Sequence, residues 1–581
     1  MSGADGAGVE IVPDLLRARA AASRGTAALA VEDARRLTYG DWDDRSNHAA
    51  RGLAGRGAQP RQAVALVFDN SCWDDYAVAY LAAHKAGVVA VPLDPSLAGP
   101  HLAAVLAHCE AVGVIAPAEL ALPPAGGVRW LASLAELEAG QAGDPFQVPL
   151  AGGDLAEIVY TSGTTGRPKG VACSHSSIVV HDGPPEQEGP VLTLLHAFPV
   201  GTNANQEVMR VTLRRSDRLA VAMAGFDPVR LCDLVESHRV ARLQLVPSMA
   251  QLLMASGAWM GRDLTSVEVV VLSSAPLRPA LVDRLARAFP RARVANAYAL
   301  TESGTARTLN PDARAHPGSV GLPVGRSQVR IVDVSGDAMA VGGPGEVLLR
   351  RPGAPRRHYL KDPDATAAAF VDGWLRTGDV GWLDGEGALH LVDRSKDVII
   401  CGGLNVSSVE VENVLYEHPG VVEAAVVGVP HEVLGQDVAA AVVVAAPVSP
   451  RDLQALARRR LAEHQVPHRI AFVESLPRTE SGKVRKRELL GLFEGGPAEA
   501  GGDPPATPEE QAVAAIWEEV LDVAGIGARD DFFALGGHSL AATRVLGRIG
   551  EDLGVDLPVT TVFEHPTVSE LAAEVAAATR G

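Results

Sequence analysis

Cysteine offers this sequence little covalent or metal chemistry. The five cysteines, Cys72, Cys109, Cys173, Cys232 and Cys401, are odd in number, scattered and without a CxxC spacing. That argues against a disulfide framework and a structural zinc site, and leaves each as a small buried hydrophobe. Long apolar runs are also missing. None approaches the ~20 residues of a membrane span, and Val421–Val429 has the length of a buried strand. The first residues, MSGADGAGVE, lack the basic and apolar regions of a signal peptide, so a cytoplasmic location with no membrane partner is expected. Positive charge is short: 52 Lys and Arg stand against 70 Asp and Glu, a formal net charge of −18. An acidic chain repels phosphate backbones, which argues against nucleic acid as a partner. Glycine is plentiful at 59 residues, yet there is no G-X-Y period and no repeat of solenoid length.

What remains is an ordinary globular composition, 47% hydrophobic and 21% charged, over 581 residues, enough for several domains. Strand and helix patterns alternate early. Residues 63–69 read as a strand and 72–85 as a helix with Val78, Leu81 and Ala82 on one face and Gly87 beyond its end. The strands 88–94 and 113–117 flank a helix across Leu102–Cys109, and the rhythm returns in strands 241–247, 268–274 and 293–299. Such alternation predicts a parallel sheet covered on both faces. After about residue 320, short strands (QVRIVDV, GEVLLR, ALHLVD) predict a smaller antiparallel β unit, and a compact α+β unit follows Asp393. Residues 494–508, EGGPAEAGGDPPATP, have linker composition. The tail from 505 to 581 is helical in pattern and carries four basic and thirteen acidic residues, a net −9. A small acidic domain on a tether suits docking on basic surfaces.

Residues 158–175 read IVYTSGTTGRPKGVACSH. Small residues in the loop let backbone N–H groups approach phosphate oxygens, and Ser162, Thr164, Thr165 and Lys169 add hydroxyls and a cation. It is not a Walker loop. Gly163 and Gly166 are too close, Lys169 precedes Gly170 rather than Ser or Thr, and a strand rather than a helix is predicted to follow. Four further stretches accompany it: NAYALTES (296–303), WLRTGD (374–379), DRSKDVIICGGLNVSSVEVE (393–412) and PRTESGKVRK (477–486). Together and in this order they resemble the adenylate-forming superfamily of acyl-CoA synthetases, luciferases and nonribosomal peptide synthetase adenylation domains, over roughly residues 10–490. DDFFALGGHSL (530–540), with FEHPT after it, resembles the phosphopantetheine site of acyl and peptidyl carrier proteins.

The resemblance implies an α/β adenylation domain with a β subunit (1–393), a small mobile α+β lid (394–492), a linker (493–507) and an all-α four-helix carrier domain (508–581). It implies ATP, Mg2+ and 4′-phosphopantetheine as cofactors. Thr161, Ser162, Gly163, Thr164, Thr165, Gly166 and Lys169 would hold phosphates, Asn296 and Tyr298 adenine, and Asp379 and Arg394 ribose or phosphate. Thr301 would touch the phosphates, Glu302 would hold Mg2+, and Lys483 would neutralise the approaching carboxylate and α-phosphate. Lys396 would be the hinge, the Gly402–Gly403 turn would serve the second lid pose, and Ser539 would carry the phosphopantetheine.

The acid is read from LLHAFPVGTNANQEVM (194–209), which resembles aryl-acid ligases, with His196 and Pro199 as landmarks. Amino-acid-activating relatives usually place an Asp where this chain has Ala197, and no acid stands between His196 and Gln206. A buried ammonium without a partner is costly. Phe198, Val200 and Ala299, the last where the family has Gly, predict a mostly apolar pocket for an aryl or compact acid without an α-amino group. Asp227 does not restore the charge: with Pro228 behind it, it reads as a helix N-cap. The expected activity is an acid–thiol ligase of nonribosomal peptide or polyketide-type biosynthesis. Its partners would be a phosphopantetheinyl transferase and a downstream synthase or acyltransferase. The alternatives are an amino-acid-activating didomain, an acyl-CoA ligase, and a noncatalytic scaffold that presents a carrier.

Overall fold

Most of the expected strands and helices form where the hydrophobic pattern puts them. The computed structural model describes residues 11–97, 99–120, 127–161, 169–180, 191–215, 218–431, 434–479, 483–493, 503–533, 535, 537, 539–558 and 560–580. Contacts divide the chain into two units, Met1–Val392 with Arg478–Lys483, and Asp393–Pro477 with Val484–Gly581.

The first unit is built on two sheets. In one, the parallel strands Leu155–Thr161, Val89–Leu93, Ala63–Val67, Gly113–Ile115 and Trp130–Ala132 lie side by side, extended on the Leu155 edge by antiparallel Lys169–Ser174 and His358–Tyr359. The other is fourteen strands wide among the described residues. Its parallel part holds Leu192–His196, Arg242–Leu245, Val269–Ser273 and Arg293–Tyr298 in adjacent register. The short strands expected as a smaller antiparallel β unit pair antiparallel with one another and are also hydrogen-bonded onto this sheet. Thr308–Asn310 and Ser319–Pro323 carry the ladder from Arg293–Tyr298 to Leu389–Arg394, Trp374–Leu383, Gly345–Arg350 and Gln328–Val332. Extending an existing sheet satisfies edge N–H and C=O groups that an isolated sheet would leave to solvent.

The helix Trp73–Lys85 was expected to bury one face. It is buried nearly all round, from Trp73 and Tyr76 through Tyr80, Ala83 and His84. Such a helix is surrounded by protein rather than lying on its surface. Its last residue is a lysine, which survives burial because Nζ donates to the carboxylate of Asp43 at 2.7 Å and to Asn47 Oδ1 at 2.7 Å. Each large apolar side chain in this core contributes about 1.5–3 kcal/mol.

The second unit contains a five-stranded sheet, with Gly435–Val444 paired to Val421–His431, Ile399–Cys401 and Arg469–Phe472. Helices Ser408–Leu415 and Pro450–Arg460 accompany it. Four helices follow, Pro508–Leu521, Ser539–Leu553, Thr560–Glu564 and Val568–Arg580, around Val513, Trp517, Phe532, Val545, Ile549 and Leu571. The first is capped by a Thr507–Glu510 capping box with Pro508 at its first position. The linker expected at 493–507 falls largely on residues outside the described set. The five cysteines are free, four of them buried. No helix among the described residues is long and apolar enough to cross a membrane.

Candidate active site

The strands on either side of residues 162–168 pair with each other. Leu155–Thr161 pairs antiparallel with Lys169–Ser174, and Thr161 stands opposite Lys169. A phosphate loop of the Walker kind runs from strand into helix; here strand returns to strand. Ser162, Gly163, Thr164, Thr165 and Gly166 lie outside the described residues. Lys169, at the far end of the loop, places Nζ 4.8 Å from the centre of the Tyr359 ring. The Tyr359 hydroxyl in turn donates to Glu302 Oε1 at 3.0 Å. One aromatic side chain thus links the lysine expected to meet phosphate with the carboxylate expected to meet Mg2+. Burial, then the neighbouring Glu302, holds the Tyr359 phenol well above its ordinary pKa, so it stays a donor.

The second part of the site sits where the strand Arg293–Tyr298 ends. The Tyr298 hydroxyl donates to Asp379 Oδ2 at 2.6 Å. Asp379 is 6% exposed, and its N–H donates to Thr377 Oγ1. The residues expected at adenine and at ribose are therefore in contact. Asn296, two residues earlier, is buried and donates its side-chain amide to the Ser319 carbonyl at 3.2 Å. Thr301 and Glu302 follow in a turn held by the Ser303 hydroxyl, which accepts from Leu300 N–H.

Two residues here carried no recognisable sequence signal. Tyr359 is one. Arg357 is the second: it is 2% exposed, Nη1 donates to the Thr301 carbonyl, and Nε and Nη2 have no partner among the described residues. A buried guanidinium with open donors has the character of an anion site, and beside Thr301 and Glu302 it suits a triphosphate. Mg2+ is commonly held by one or two carboxylates plus phosphate oxygens, which Glu302 can supply in part. No group of three or more His, Cys, Asp or Glu among the described residues forms a dedicated metal site.

Asp393, the first residue of the DRSKD stretch, stands at the start of the second unit. Its Oδ1 accepts from Arg394 N–H at 2.7 Å, and its Oδ2 accepts from both N–H and hydroxyl of Ser408 at 2.7 and 2.6 Å. A carboxylate at the start of the Ser408–Leu415 helix is favoured by the helix dipole. The Ser408 hydroxyl also meets Lys486 Nζ at 2.5 Å, and Lys486 pairs with Glu412 at 2.8 Å. The backbone at Arg394 and Lys396, the expected hinge, is thereby tied to a lid helix and to the segment just after Lys483. Lys396 itself is exposed, in the turn that follows. Lys483 is exposed, and Thr479 N–H donates to its carbonyl at 2.8 Å. Gly402 and Gly403 join Ile399–Cys401 to Leu404–Val406 with φ of +58° and +83°. A two-residue turn with both φ positive demands residues without a Cβ penalty.

The stretch read as the acyl pocket is ordered from its start. His196 ends its strand fully buried; burial holds its imidazole down to about 3, so it is neutral. Its Nδ1 accepts from Phe198 N–H, and the Phe198 carbonyl accepts from the side-chain amides of Asn70 and Asn205 at 3.0 and 2.8 Å. Ala197 and Phe198 are buried, while Ala299 is exposed. Asp227 is the N-cap of Pro228–His238, its carboxylate accepting from Arg230 N–H at 2.7 Å.

Ser539 opens the helix Ser539–Leu553, where the positive end of the dipole favours a phosphodiester. Ahead of it, a Cβ on Gly537 would lie 2.4 Å from the Phe532 ring and 2.5 Å from the Phe532 carbonyl oxygen, so only glycine fits. The carrier's Phe533 stacks on His468 at 5.4 Å and lies under the guanidinium of Arg458, and Arg451 pairs with Glu570 at 3.0 Å. The acidic tail thus meets basic residues of the Pro450–Arg460 helix.

Known proteins share this organisation. The sequence pattern of AMP-binding enzymes matches residues 16–359, that of the AMP-binding enzyme C-terminal domain matches 410–483, and that of the phosphopantetheine attachment site matches 511–575. The chain is similar to a feruloyl-CoA synthase of Amycolatopsis sp, 35% identical over 486 residues, 79% of this chain and 94% of that one. It is similar to tyrocidine synthase 2 of Brevibacillus parabrevis, 32% identical over 558 residues, 93% of this chain but only 15% of that much longer protein. Among solved structures it resembles ATP-bound MatB from Rhodopseudomonas palustris, with 27% identity, a TM-score of 0.73, and coverage of 83% of this chain and 99% of that one.

Proposed function

The chain belongs to the AMP-binding enzyme family, and from that membership we propose that a carboxylate displaces pyrophosphate from MgATP to form an acyl-adenylate, and that a phosphopantetheine thiol on its own Ser539 then takes the acyl group and releases AMP. The reading rests on one observation: Lys169, Glu302 and Tyr359, from separate parts of the chain, meet through a single phenol, in the unit that also contains the Tyr298–Asp379 bond.

Each residue then has a task. Lys169 and Arg357 offer cationic donors to phosphate oxygens, and Glu302, oriented by Tyr359, offers an oxygen to Mg2+. When bound, the metal would neutralise phosphate charge. Tyr298 presents an aromatic face, and its bond to Asp379 orients a carboxylate able to accept from sugar hydroxyls. Lys483 stabilises the charge that builds as acid and α-phosphate approach. The lid moves about Lys396, and the Gly402–Gly403 turn leaves room for the pantetheine arm. The acid lacks an α-amino group, because Ala197 provides no counter-charge.

The test is ATP–pyrophosphate exchange with a panel of aryl, aliphatic and amino acids, followed by intact mass of the phosphopantetheinylated chain. The chain should gain the acyl mass. Ser539→Ala should abolish that gain while pyrophosphate exchange persists. Loss of exchange in folded Ser539→Ala protein contradicts the division of labour. Release of acyl-CoA from added CoA with no gain in chain mass would make the protein a CoA ligase instead.

A further inference from the structure

The acyl pocket proposed above has a charged end. Tyr298 stands opposite Thr308 in the last antiparallel pair of its ladder, and Ala299 and Arg307 are the next residues beyond that pair. Arg307 Nη1 donates to Glu207 Oε1 at 2.9 Å. Glu207 lies on the helix Asn203–Arg214, which begins just after Phe198, and Asn203, Glu207, Arg210 and Arg214 are spaced to share one face. The Glu207–Arg307 pair therefore bridges the two segments that carry the proposed pocket residues. The two side chains keep 29% and 34% of their surface open.

The surroundings of this pair are rich in arginine. Arg210 reaches Glu207 at 3.9 Å but spends its main contact on Glu157, which also accepts from the Tyr80 hydroxyl at 2.8 Å. Glu157 is thus satisfied and does not neutralise the rest. Arg214 donates Nη2 to the Ile178 carbonyl, while its Nε and Nη1 have no partner among the described residues. Asn203 Oδ1 is likewise unpartnered among them. Glu207 is left as the nearby carboxylate for Arg307 and Arg214, and both hold it in the charged form. A guanidinium has five N–H donors in a fixed fork, so the bond to Glu207 orients Arg307 and leaves donors for a ligand.

We infer that the acid carries a second anionic group, a second carboxylate at its far end, received by Arg307 with Glu207 as its positioning residue. The inference rests on the adenylation reading above and names its substrate class. The same surplus of positive charge disfavours an α-ammonium group, in agreement with Ala197.

The test compares pyrophosphate exchange for matched pairs: benzoate against 3- and 4-carboxybenzoate, and butyrate and valerate against succinate and glutarate. A charge-assisted bond should favour the better-fitting diacid by about tenfold or more in kcat/KM. Arg307→Gln should collapse that ratio toward one, and Arg307→Lys should restore part of it. Monoacids that exchange as well as or better than every diacid overturn the inference, as does a ratio that survives Arg307→Gln. Exchange with none of the acids tested counts against the adenylation reading itself.

Discussion

Replacing Lys486 with methionine keeps the length of the side chain and removes its charge. In the native lid the ammonium sits between Glu412, 2.8 Å away, and the Ser408 hydroxyl that Asp393 also binds. Glu412 keeps 9% of its side-chain surface and Asp393 is 7% exposed. Burial pushes the Lys486 pKa down, but Glu412 and Asp393 outweigh it and hold it above its ordinary value. Asp393 retains three donors without the lysine, whereas Glu412 keeps the Val426 N–H at 3.0 Å. The loss is therefore mostly that of one carboxylate left buried beside an apolar chain. Breaking a buried pair costs about 3–5 kcal/mol; Lys486 is 20% exposed, so the lower figure applies. About 3 kcal/mol is roughly a hundredfold in an opening equilibrium. Hydrogen exchange of the Gly435–Val444 amides should accelerate by that factor, a local measure suited to a chain with several domains. Lys486→Met with Glu412→Gln should recover most of the loss, because no charge is then stranded. A raised ammonium pKa stabilises at every pH below about 10.5, so the difference should be constant from about pH 7 to 9. Unchanged exchange in Lys486→Met, or no recovery in the double variant, would refute the claim that this pair holds the lid.

Three further outcomes are expected. Lys483→Ala should slow acyl-adenylate formation by about 10²–10³-fold while a supplied acyl-adenylate is still used, as single-turnover assays of each half-reaction would reveal. The large unit should be acid-labile: burial holds His196 down to about 3, His175 to about 4 and His84 well below 6.5, so all three stay neutral when folded and gain protons on unfolding. Stability is complete above about pH 6.5 and falls below it, by up to ~4 kcal/mol per pH unit for three protons. Thermal melts from pH 8 to 5 should display this, and His84→Leu should remove about one proton from the slope. Gly537→Ala, which drives a methyl into Phe532, should cost about 1–3 kcal/mol and slow phosphopantetheinylation of Ser539, read by intact mass; modification at the native rate would contradict it.

Much of this protein is local and therefore legible in the chain. Alternating strands and helices, the Asp227–Pro228 helix start, the linker composition and the motifs around Lys169, Glu302, Asp379, Lys483 and Ser539 depend on residues close in sequence, whose propensities and spacing act without the rest of the fold. Pairings across long separations do not. Tyr359 reaches Glu302 across 57 residues, Lys486 reaches Ser408 across 78, and Arg307 reaches Glu207 across 100. Tyrosine, lysine and arginine at those places are unremarkable in sequence and read as surface or core. The pocket looked mostly apolar because the stretch from His196 to Gln206 holds no acid; Glu207 and the arginine that holds it are joined only in the folded chain, across 100 residues. Burial is likewise a property of the assembled layers: it keeps His196 neutral and leaves donors of Arg357 and Arg214 open, because desolvation depends on every neighbour at once and not on the adjoining residues.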